Sequence, residues 1–167
     1  ESIVWNYQTN GRVYATPVIE DSIMYIGSLD SNLYAINVNT GEKIWSYHTS
    51  NEIRTSIAIY DSILCFAAGQ KLLGLSKSGD LIWEFLLYSG TFSNNHDDWD
   101  DFNSSPLIVD TVAYIGTEGG LVFGVNVISG DTVLHYQTPG ATHTIETTPI
   151  YKNGKIYFGD WDGVFYC

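Results

Sequence analysis

Hydrophobic residues gather in short runs along this chain, each cut off by polar punctuation. Ala15-Thr16-Pro17-Val18-Ile19, Ile23-Met24-Tyr25-Ile26-Gly27, Asn32-Leu33-Tyr34-Ala35-Ile36-Asn37 and Lys43-Ile44-Trp45-Ser46-Tyr47 are rich in β-branched and aromatic residues and bounded by Asp, Asn, Gly or Ser. That is the pattern of strands joined by tight turns. No useful length of chain repeats apolar residues at i, i+3, i+4 and i+7, so helices should be nearly absent. Asn39-Thr40-Gly41-Glu42 and Lys77-Ser78-Gly79-Asp80 read as hairpin turns in which Gly or Asn supplies positive φ.

The four runs recur as a unit. Asp21-Ser22-Ile23-Met24-Tyr25-Ile26-Gly27 is answered by Asp61-Ser62-Ile63-Leu64-Cys65-Phe66-Ala67, by Asp110-Thr111-Val112-Ala113-Tyr114-Ile115-Gly116 and by Asn153-Gly154-Lys155-Ile156-Tyr157-Phe158-Gly159. Behind them, Gly41-Glu42-Lys43-Ile44-Trp45 is matched by Gly79-Asp80-Leu81-Ile82-Trp83 and by Gly130-Asp131-Thr132-Val133-Leu134. Self-similarity with a period of about forty residues marks a repeat architecture. Four antiparallel strands per unit, A to D from the inside outward, predict an all-β fold, the β-propeller, with each unit one blade.

The register of the repeat sets the organisation. Residues 1–9 match the end of the first unit, so the chain opens on a strand D; blades follow at about 11–50, 51–90 and 102–140; residues 145–167 supply strands A to C of a fourth. Two readings follow: the ends pair within one closed four-bladed ring, or the chain is half of an eight-bladed ring completed by a second copy or by further sequence. The second is preferred. The interval between the second and third units is longer by about nine residues, the acidic stretch Ser93-Asn94-Asn95-His96-Asp97-Asp98-Trp99-Asp100-Asp101, which falls between a strand D and the next strand A.

Composition narrows the function classes. Seven basic against nineteen acidic side chains leave a formal charge of −12, a field that repels phosphate backbones and argues against nucleic acid. No apolar run approaches the roughly twenty residues of a membrane span, and no stretch reads as a signal peptide. Two cysteines, Cys65 and Cys167, are too few and too separated for a disulfide framework. His48, His135 and His143 show no ligand spacing, and no Gly-x-Ser-x-Gly elbow exists.

With Leu33-Tyr34-Ala35-Ile36-Asn37 followed by Thr40-Gly41-Glu42-Lys43-Ile44-Trp45, the chain resembles the pyrroloquinoline-quinone (PQQ)-like repeat family of β-propellers over essentially its whole length. The resemblance implies a tryptophan-docking motif, in which Trp5, Trp45 and Trp83, with Leu134 in the degraded third repeat, pack between neighbouring blades and the glycine forms the turn that aims each one. It also implies two kinds of function. Some members are quinone-dependent alcohol or sugar dehydrogenases, typically with a vicinal cysteine pair, a calcium ion and a catalytic Asp; many others are protein-binding platforms. This chain has no adjacent cysteines, so PQQ is not expected and no cofactor is predicted. An extracytoplasmic location rests on the family alone.

Two candidate sites emerge. His96, Asp97, Asp98, Asp100 and Asp101 form a hard-ligand cluster that could take calcium, and Trp99 stands among them. D–A loops and B–C turns lie one strand traverse apart and so share a face, which would bring Trp99 and Trp161 together among acids: a surface suited to a protein or carbohydrate partner. Tyr14, Arg54, Asn103 and Glu146 occupy one repeat position while their neighbours recur, and by family geometry they line the mouth of the central channel. The sequence therefore reads as a non-catalytic binding scaffold. Its alternatives are a piece of a PQQ-dependent dehydrogenase and an architectural repeat of a surface protein.

Overall fold

The computed structural model describes residues 3–87, 103–139 and 144–167. Among them there are fifteen strands and no helix. The first blade is β1 (Val18–Glu20), β2 (Ile23–Gly27), β3 (Asn32–Asn37) and β4 (Lys43–His48), hydrogen-bonded in that order. The second is β5 (Ala58–Tyr60), β6 (Ile63–Ala68), β7 (Lys71–Ser76) and β8 (Leu81–Leu86); the third is β9 (Leu107–Val109), β10 (Val112–Gly116), β11 (Leu121–Asn126) and β12 (Thr132–Gln137). β13 (Ile150–Lys152), β14 (Lys155–Gly159) and β15 (Phe165–Tyr166) form a three-stranded fourth sheet. All pairings are antiparallel, in the meander that a propeller blade requires.

Turn chemistry explains the hairpins. Asp21, Asp61, Asp110 and Asn153 all adopt positive φ at the A–B turns, a conformation that Asp and Asn tolerate better than most residues. At the C–D turns the left-handed position falls to Gly41, Gly79 and Gly130. Strand A is shorter than the sequence suggests. Its first residues bond by side chain instead: Thr55 Oγ1 accepts from the Ala67 amide at 3.0 Å and donates to the Ala67 carbonyl at 3.1 Å, and Thr147 makes the same pair with Gly159.

The core lies between blades. Leu33 and Ala35 of the first pack with Ile53, Leu64 and Phe66 of the second; Leu72 and Leu87 of the second pack with Ala113, Ile115 and Leu121 of the third. Val122 of the third meets Ile145 and Phe158 of the fourth. Along the inner strands, the Thr16 amide donates to Ser56 Oγ and the Ser56 amide donates to Ser105 Oγ, stitching three blades together.

Each tryptophan of the docking motif sits on the following blade. Trp5 Nε1 donates to the Val38 carbonyl at 2.6 Å, Trp45 to Lys77 at 3.0 Å and Trp83 to Val127 at 2.7 Å. The indoles cover Gly41, Gly79 and Gly130, where an added Cβ would lie only 2.8 to 3.0 Å from ring or Cβ atoms. This refines the resemblance: the turn glycine receives the preceding blade's tryptophan, besides leading into the strand that carries its own. On its other side each ring faces a small residue of its own strand C, Ala35 opposite Trp45 and Gly74 opposite Trp83, beside a bulge present in all three complete blades. Leu134 stands opposite Gly124 in the same register and is 39% exposed.

Candidate functional site

The shared face predicted from topology is built by backbone hydrogen bonds between D–A segments and B–C turns. The Leu29 amide donates to the Arg12 carbonyl, the Ile53 amide to Ser28 and the Ile145 amide to Thr117. The Leu87 amide donates to the Gln70 carbonyl and Asn103 Nδ2 to the Gly69 carbonyl at 2.7 Å, so both flanks of the acidic insertion are tied to the second blade's B–C turn. The insertion itself, with Trp99, His96, Asp97, Asp98, Asp100 and Asp101, lies outside the described residues.

Trp161 heads the fourth blade's B–C turn, held there by its amide donating to the Thr144 carbonyl at 3.2 Å. Its indole is 69% exposed, an unusual state for so large an apolar surface. Asp160 and Asp162 flank it in sequence, and Glu118 and Asp30 occupy the B–C turns of the third and first blades.

Two of these acids are structural anchors that sequence reasoning missed. Asp30 accepts from the Tyr34 hydroxyl at 2.7 Å, the Asn10 amide at 2.8 Å and the Asn32 amide and side chain at 3.1 Å. Burial opposes its ionisation, but these donors outweigh burial and hold the carboxyl below its usual range. Asp160 is lowered first by the Val164 amide and further by the Tyr166 hydroxyl. Tyr34 and Tyr166 share one repeat position; a turn Asp paired with that tyrosine was the available signal.

The four channel-position residues are not gathered into one constellation. Tyr14 is exposed, while Arg54 forms an ion pair with Glu52 at 2.5 Å, two residues away in sequence. Asn103 serves the Gly69 carbonyl, and Glu146 is half-buried on the fourth blade. Among the described residues no three His, Cys, Asp or Glu side chains are grouped so as to hold a metal ion. Cys65 is buried in β6, its thiol pushed up by desolvation, and Cys167 is exposed beyond β15. They do not form the adjacent pair that the quinone enzymes carry.

A second missed feature is a set of glycine notches. At Gly27 an added Cβ would lie 2.2 Å from Ile53 Cγ2, and at Gly116 it would lie 2.3 Å from Ile145 Cγ2. Each isoleucine, fully buried, fills the space a side chain would take. The signal was a Gly or Ala ending strand B, paired with a β-branched residue leading into the next strand A.

Inter-blade meanders, docked tryptophans and notched strand ends define a β-propeller of the tryptophan-docking type. The chain belongs to the family described as outer membrane protein assembly factor BamB, whose model matches residues 1–167. It is 26% identical over 128 residues to the outer membrane protein assembly factor BamB of Shewanella oneidensis, covering 72% of this chain and 32% of that protein. It is also 26% identical over 137 residues to the quinoprotein alcohol dehydrogenase PedH of Pseudomonas putida, covering 73% of this chain and 22% of the enzyme. The chain thus spans a third or less of these two relatives. Among solved structures it resembles BamB from Moraxella catarrhalis, with TM-score 0.82 and 20% identity over 99% of this chain and 52% of that one. Among the described residues no helix is long and apolar enough to cross a membrane.

Proposed function

We propose that this chain is a non-catalytic binding scaffold that presents its D–A and B–C face to a basic segment of a protein partner. The observation that carries the reading is Trp161, a mostly exposed indole on a backbone-tethered turn among acids. A rigid aromatic anchor ringed by charge is the usual form of an interface hot spot, and a chain of net charge −12 attracts basic partners. The family adds support, since its name denotes assembly of outer membrane proteins; we place the chain in that extracytoplasmic setting.

Calorimetric titration with a basic, aromatic-containing peptide tests this reading. Binding should weaken with added salt and with Trp161→Ala, whereas a neutral oligosaccharide should give no heat. Salt-insensitive binding, a response to the oligosaccharide alone, or no difference in the Ala variant would count against it.

A second reading, a piece of a quinoprotein dehydrogenase, draws on the similarity to PedH. It predicts quinone uptake with calcium and alcohol-dependent dye reduction.

A further inference from the structure

The two ends of the blade array carry complementary halves of the interface that joins the blades internally. In the fourth blade Gly159 holds the repeat position of Gly27 and Gly116, but its notch is open: the nearest heavy atoms to an added Cβ are Phe165 Cε1 at 3.5 Å and the Val164 carbonyl oxygen at 3.6 Å, with no β-branched side chain from another blade. Phe165 holds the position of Leu33 and Val122, which are buried against the next blade, yet it is 88% exposed. At the other end Val13 stands where Ile53 and Ile145 stand, and it is 48% exposed. Among the described residues no strand pairs with the outer edge of β15. Segment 3–9 lies outside the four sheets, with Trp5 docked on Gly41 and Tyr7 against Tyr34. It thereby takes the place that β4 takes on the second blade, the strand D of a blade whose inner strands lie elsewhere.

We propose that a second copy of this chain completes the ring, each copy lending segment 3–9 as strand D to the other's fourth blade. Val13 of one copy fills the Gly159 notch of the other, and Phe165 packs on the blade-1 face beside Met24 and Ile26. Two features select a second copy over an unrelated partner. The repeat phase is complementary at both ends, since Cys167 aligns with Ala35 and Ile3 with Lys43, so a two-fold pair meets with only the C–D turn left unbridged. The curvature also agrees, because the chain superposes on 52% of a propeller chain about twice its length, and two such arcs make one closed ring. The edges that meet are apolar, so the −12 charge of each copy does not oppose them at the contact.

The test is the native mass of the 167-residue protein, by mass spectrometry and by light scattering through a concentration series, beside two variants. Phe165→Asp alters an exposed side chain. Gly159→Ala adds a methyl group that makes only ordinary contacts within one chain. Neither should lower the melting temperature of an isolated copy. The expected result is a species of twice the 18.6 kDa chain mass, with both variants raising the dissociation constant by about thirtyfold or more, the scale of an interface hot spot. A monomer at about 100 μM, which would leave these faces to blades from another source, overturns the proposal. A dimer indifferent to both variants, joined through some other surface, overturns it as well.

Discussion

Gly130→Ala should destabilise the protein far more than Gly154→Ala, and the difference measures tryptophan docking. Both glycines are left-handed, at φ 77° and 78°, so the cost of a side chain in that conformation, about 1 kcal/mol, is common to both. At Gly154 nothing lies within 4 Å of the added carbon. At Gly130 it would sit 2.9 Å from Cβ and Cγ of Trp83, whose indole is only 8% exposed and anchored on Val127. The ring cannot retreat without losing that hydrogen bond and its seat against Gly74, so overpacking adds about 1–3 kcal/mol. The totals expected from urea denaturation are about 2–4 kcal/mol for Gly130→Ala and about 1 kcal/mol for Gly154→Ala. In a Trp83→Ala background, itself costing about 3–5 kcal/mol, the Gly130 change should fall to the conformational term alone. Equal losses at the two glycines, or full additivity in the double variant, would refute the reasoning.

Three further outcomes follow from single sites. Thr55→Val should cost about 2–3 kcal/mol in thermal or urea unfolding, because it strands the buried amide and carbonyl of Ala67 that the hydroxyl now serves. Asp30→Asn should lower the melting temperature near neutral pH. The carboxyl of Asp30 titrates below its ordinary 3.8 in the folded state, so its contribution is complete above that value and lost as pH falls through the depressed one; the two proteins should converge toward about pH 2, and a gap that persists or widens in acid would contradict the assignment. Trp161→Ala should leave stability within about 0.5 kcal/mol of wild type while weakening peptide binding in the calorimetric titration.

What was legible in the sequence was what repeats. The strand runs, the Asp turn before each strand B and the Gly-to-Trp spacing are local patterns enforced four times over, so the propeller could be read from them directly. The partner of each indole could not, because spacing within a repeat does not reveal that Trp83 lies on Gly130, 47 positions on by residue number, rather than on its own turn. The notches were hidden for the same reason: Gly27 looks like an ordinary strand end until Ile53 is seen filling it. At the candidate face, topology predicted the shared side correctly, as the bonds from Leu29, Ile53 and Ile145 establish. Yet acidity alone could not separate Asp30 and Asp160, occupied in holding tyrosines, from the neighbouring acids.

Site-directed photo-cross-linking tests the proposed function most directly. A photoreactive side chain would be placed at position 161, on the acidic face, and in parallel at position 133, exposed on the outer strand β12 beside the opposite-facing C–D turn. In the native cell extract the account predicts a discrete protein adduct from position 161 that added salt diminishes, and none from position 133. Adducts from position 133 alone, or none from position 161 under any ionic condition, would contradict a partner seated on the Trp161 face.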